Sequence, residues 1–74
     1  MLELVQAGGT KAGQSFDTFT RQGLYAGIVV ETYGKGCKVY FDSNCSKGSA
    51  RTFPTIDAAA GFIVGRRIAK GWRV

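Results

Sequence analysis

Ten lysines and arginines face five acids in this chain, a formal net charge of +5. The acids Glu3, Asp17, Glu31, Asp42 and Asp57 are spread singly, whereas the bases gather late. After Asp42 come Lys47, Arg51, Arg66, Arg67, Lys70 and Arg73, opposed only by Asp57. From Phe62 onward there are four bases and no acid. Such a basic end suits an anionic partner, most often nucleic acid. It also suits a solvated helix whose cations sit against the negative helix C-terminus.

The chemistry of catalysis is thin by comparison. There is no histidine, which removes the commonest general base and the commonest metal ligand. Two cysteines without histidine make a poor zinc site, and neither has an activating base that would make it a nucleophile. Nothing marks Glu31 and Asp42 as a pair for acid–base work. The Gly34-Lys35-Gly36 turn is too short for a phosphate loop and lacks the serine or threonine that would follow the lysine. The expectation is a non-enzymatic protein with no catalytic residues, no metal and no cofactor.

Cys37 and Cys45 are eight apart. If one strand joins them, their separation is roughly 26 Å, well past the roughly 7 Å that a disulfide tolerates. Both read as reduced thiols, which points to a cytoplasmic protein. Met1–Val5 has neither the basic segment nor the apolar run of a secretory signal. The longest apolar stretch, Ala58–Gly65, has eight residues against the roughly 20 of a membrane span, so no membrane partner is expected.

The elements that must position these bases follow from the pattern. With 74 residues, 45% of them hydrophobic and 11 of them glycine, the chain reads as one small globular domain. Residues 1–23 read as a flexible arm or an extra strand. Within them Ala7–Ser15 is small, polar and Gly-rich, the composition of a flexible loop, and Phe16–Gln22 is an extended lead-in of ambiguous period. Leu24–Tyr33 is rich in β-branched and aromatic residues, a strand. Gly34-Lys35-Gly36 makes a tight turn, and Cys37–Asp42 alternates as a half-buried strand. Ser43–Ser49 reads as a second turn and Ala50–Phe53 as a third strand, closed by Pro54. Thr55 is placed to cap a helix with Asp57 in its first turn, and Gly71 to stop it. Gly61 and Gly65 inside that helix each cost about 1 kcal/mol against alanine. Close approach to the sheet is one reason for them, and contact with a second copy is another.

The predicted fold class is α+β: a three-stranded antiparallel meander packed on one C-terminal helix, together spanning residues 24–74. Val39, Phe41, Phe53, Ile28 and Val30 are expected to face the helix. Tyr25, Val29, Glu31, Tyr33, Lys38 and Tyr40 are expected on the uncovered face.

A family resemblance runs through these residues. Tyr25-Ala26-Gly27-Ile28, Gly34-Lys35, Val39-Tyr40-Phe41-Asp42 and Arg51-Thr52-Phe53-Pro54-Thr55-Ile56-Asp57-Ala58-Ala59-Ala60 together resemble the plant ethylene-response-factor DNA-binding domain. Similar domains stand at the amino ends of phage and transposon integrases. The resemblance covers roughly residues 24–70 and implies a three-stranded sheet whose open face enters the DNA major groove. Family members carry arginines on the first strand where this chain has Val29, Val30, Glu31 and Thr32.

The leading expectation is a small basic nucleic-acid-binding module, with DNA favoured over RNA. Lys35, Lys38, Lys47 and Arg51 would reach phosphate from the sheet side, and Arg66, Arg67, Lys70 and Arg73 from the helix end. Tyr33 and Tyr40 could stack on bases or simply brace the sheet as cross-strand pairs. The alternative is a protein-interaction or homodimerisation module of a phage or mobile element. In it, the tyrosine-bearing face meets a partner, or the first residues add a strand to another chain.

Overall fold

The computed structural model describes residues 2–41, 48 and 51–74. Four antiparallel strands form one sheet in the order β1-β2-β3-β4, with β1 at Glu3–Gly9, β2 at Gly13–Phe19, β3 at Tyr25–Thr32 and β4 at Gly36–Tyr40. A single helix, α1, follows at Ile56–Ala69. The α+β class and the C-terminal helix match the sequence expectation, but the sheet has one strand more.

The additional strands come from residues expected to be a flexible arm or an extra strand, and they run through the part expected to be a flexible loop. Ala7–Gly9 ends β1 and Gly13–Ser15 begins β2, with Gly8 opposite Ser15 and Gly9 opposite Gln14. The amide of Thr10 closes the turn on the Gly13 carbonyl at 2.8 Å. Glycine leaves no side chain to show a two-residue period, so here the main-chain ladder supplies the order. The expected third strand, Ala50–Phe53, is correspondingly reduced. Among its described residues only Phe53 pairs, exchanging two hydrogen bonds with Cys37 at 2.7 and 2.8 Å.

β3 and β4 meet through the Gly34-Lys35-Gly36 turn, where both glycines take positive φ, 80° and 88°. Their register sets Val29 directly opposite Val39, and directly opposed residues share a face. The helix packs on the Val29–Val39 side. Val29, Cys37, Val39, Phe53, Ala59 and Ile63 are the centre of the core, with Phe41 and Phe62 packed against it. This corrects the expected faces of β3. Val29 and Glu31 lie on the helix side, while Ile28 and Val30 lie opposite, beside Tyr40 and Lys38. Ile28, Val29 and Val30 are all apolar and β-branched, so no polar residue marks the phase. The pairing with β4 decides it.

Thr55 caps the helix, its hydroxyl accepting from the Ala58 amide at 3.1 Å. At the other end the Gly71 amide bonds to Ile68 O at 3.0 Å and the Trp72 amide to Arg67 O at 2.8 Å, with Gly71 at φ 73°. That bond pair is a Schellman stop, which needs the left-handed residue glycine provides. Gly61 and Gly65 do not lie against the sheet. Both are exposed, and a Cβ at either would meet nothing within 4 Å.

Candidate nucleic-acid interface

The predicted contact residues separate into two groups on different sides of the molecule. Lys35 is exposed in the β3–β4 turn, and Lys38 is exposed on the face away from the helix with half-buried Tyr40 on the same side. The ladder also brings Glu3 and Asp17 to that face, through Glu3 opposite Phe19 and Asp17 opposite Ile28. Lys38 therefore shares its surface with two carboxylates that come from strands absent from the expected meander. Glu31 is on the helix side instead, where its carboxylate accepts from Gln14 Nε2 at 2.7 Å. Lys47 lies outside the described residues.

The second group is assembled by aromatic rings. The Phe53 and Phe62 rings are 5.0 Å apart, and Phe62 and Phe41 are 6.2 Å apart, forming a row along the helix. The guanidinium of Arg51 lies 5.3 Å from the Phe53 ring and 5.9 Å from that of Phe62. At the other end of the row Arg66 sits 3.8 Å from the Phe41 ring centre. Past the helix stop, Trp72 lies 5.4 Å from the Arg67 guanidinium and 5.2 Å from the Lys70 ammonium. Arg67 Nε also donates to the Arg73 carbonyl at 2.6 Å, which ties the last turn to the tail.

The physical consequence concerns charge. An arginine held by a ring keeps its full charge and its N–H edge, whereas one held by a carboxylate is neutralised. The only acid in the helix, Asp57, is in its first turn, at the far end from Arg66 and Arg67. Backbone carbonyls at the helix C-terminus reinforce the positions of these cations. Thus Arg67 and Lys70 gather on an exposed indole, Arg66 lines a recess that this indole also lines, Arg73 follows Trp72 in the chain, and Arg51 lies at the other end of the aromatic row.

This recess, of about 230 Å³, opens between the helix end and the start of β3. Tyr25, Phe41, Arg66, Arg67 and Trp72 line it together with the buried Ala26 and Ile63, and no acid is among its described walls. Two more open hollows lie elsewhere on the sheet, and Glu31 lines both. Positive charge and aromatic surface therefore coincide in the recess at the helix end.

Trp72 and Phe41 carry no charge, so the placement of charge along the chain does not mark them. The usable signal was the interleaving in Arg66-Arg67-Ile68-Ala69-Lys70-Gly71-Trp72-Arg73, where an aromatic stands among bases just past a helix-stopping glycine. Phe41 had no such signal, because only the packing of β4 against the helix brings it under Arg66.

Cys37 is fully buried in the core, and burial first, then the nearby Glu31 carboxylate, push its thiol up from its ordinary value. A protonated, enclosed thiol is a packing group rather than a nucleophile. Cys45 lies outside the described residues. Among the described residues no cluster of three or more acidic or sulfur ligands stands together, and no helix is long and apolar enough to cross a membrane. No protein-family model, curated protein or solved structure matches the chain.

Proposed function

We propose that the protein is a small, non-enzymatic nucleic-acid-binding module, with DNA the favoured partner, that meets phosphate mainly with the helix end. The observation that carries this reading is the seating of Arg66 on Phe41 and of Arg67 and Lys70 on Trp72, with no carboxylate among the described residues that wall the recess. Guanidinium groups presented this way bond phosphate in a fixed fork geometry. The resemblance to sheet-reading DNA-binding domains enters the proposal as a DNA partner and a sheet-plus-helix scaffold. The contact surface proposed here is the helix side, because the open sheet face that carries Lys38 on β4 also carries Asp17 on β2 and Glu3 on β1.

The test is fluorescence anisotropy with a labelled short duplex at low salt. Binding is expected, with affinity falling steeply as salt rises, because each neutralised phosphate adds about −0.9 to the slope of log K against log salt. Arg66→Ala and Arg67→Ala are each expected to weaken binding and reduce that slope by about 1. Absence of binding at low salt would count against the proposal.

A second reading has its own observation. Among the described residues the outer edge of β1 has no ladder partner, and this seven-residue strand has neither the lysine nor the proline that commonly blunts such edges. A second copy could pair there. A sizing column would then show a dimer that persists at high salt, when phosphate contacts have been screened away.

A further inference from the structure

Trp72 is the only tryptophan of the chain, and half of its surface is exposed although it stands next to a recess. That recess, at about 230 Å³, is smaller than the roughly 300–1,000 Å³ of drug-sized ligand sites. It suits one planar ring system rather than a larger ligand. Its walls include the rings of Trp72 and Tyr25 together with two guanidinium groups, and both kinds of group stack on nucleobases. A base within a duplex has its faces covered by its neighbours and presents only edges in the grooves. An unpaired base can turn and enter.

Resting on the nucleic-acid reading above, we propose that this recess receives one unpaired base, so that the helix end prefers single-stranded over duplex nucleic acid. The base stacks on the Trp72 indole, while exposed Lys70 and Arg73, immediately before and after that stretch of chain, take the flanking phosphates. Every base has a face to stack, so the preference concerns strand state and carries little sequence discrimination. The 14-residue helix is anchored to the sheet through Ala59 and Ile63, and Ile63 also walls the recess, so the recess keeps its shape without a ligand.

The experiment uses the intrinsic fluorescence of Trp72 as reporter. The full chain is titrated at low salt with oligothymidylate, with oligouridylate of the same length, with a duplex of the same length, and with phosphatidylserine vesicles. Both single strands, or the one carrying the preferred sugar, should quench Trp72 and bind about 10-fold or more tighter than duplex. Both Trp72 variants lack the reporter, so their affinities are read from the anisotropy of the same oligonucleotides carrying a label: Trp72→Ala should lose about 10-fold to 100-fold of single-strand affinity and leave duplex affinity within about twofold, whereas Trp72→Phe should retain most of it. The helix stop uses the main chain of Trp72, not its side chain, so both variants are expected to fold, and far-ultraviolet circular dichroism verifies that. Equal affinities for single strand and duplex without quenching would overturn the unpaired-base proposal and leave nucleic-acid binding standing. No binding to any oligonucleotide would overturn both. A blue shift on vesicles alone would replace nucleic acid with an anionic lipid surface and overturn both as well.

Discussion

Cys37 shows how a single position responds to its surroundings. Its thiol ionises later in the fold than in the unfolded chain, because burial and Glu31 both disfavour the thiolate. The resulting stabilisation is fully present below the ordinary thiol value and is lost as pH rises through the raised one. The urea midpoint should therefore fall as pH rises above the ordinary thiol value, and the fall should be shallower in Cys37→Ala. Identical pH profiles for the two proteins would refute this. Packing gives a second contrast at the same scale. Ile63 is 1% exposed and Ile68 is 61% exposed, one helical turn and a half apart on opposite sides. Ile63→Ala should cost about 2–5 kcal/mol in denaturant unfolding, and Ile68→Ala at most about 0.5 kcal/mol. Comparable losses would mean that the helix packs differently. Sequence pattern marked both isoleucines as apolar helix residues without telling them apart, because the arc from Ala58 to Ala69 is apolar over most of its circumference.

At the scale of elements, the helix was legible and the first hairpin was not. Thr55, Asp57 and Gly71 are local signals: each acts on backbone groups within one turn, so their meaning does not depend on what the helix packs against. Thr55→Ala should cost about 1 kcal/mol, and Gly71→Ala about 1 kcal/mol through the left-handed backbone at that position. Gly61→Ala should do the opposite. The open space around that position admits a methyl group, and alanine is favoured over glycine by about 1 kcal/mol inside a helix. A rise of about 4–8 °C in melting temperature is expected for a chain this size. A drop would place Gly61 at a contact not present in the isolated chain. The β1–β2 hairpin escaped detection because Gly8, Gly9 and Gly13 carry no pattern, and its stability comes from pairing with β3. The buried Thr18 hydroxyl, which bonds the Gly27 carbonyl at 2.8 Å, fastens that pairing where the ladder shifts register.

The whole molecule divides its charge between two sides. The helix end gathers cations around rings, while the open sheet face mixes Lys38 with Glu3 and Asp17. Salt dependence should reveal this division. Lys38→Ala should leave the slope of log K against log salt nearly unchanged, whereas the double variant Arg66→Ala, Arg67→Ala should flatten it by about 2. A larger effect from Lys38 than from the arginine pair would move the contact surface to the sheet. The residues alone determined the net charge, the lack of histidine, the helix with both of its ends, and the β3–β4 turn, since composition and short-range backbone chemistry suffice for these. Only the tertiary structure decided which side of β3 is buried, that Glu3–Gly9 and Gly13–Phe19 extend the sheet, and that Phe41 and Trp72 seat the arginines. Those outcomes depend on which strand lies opposite which, and such long-range pairing leaves no periodic trace in glycines or in an unbroken run of apolar residues.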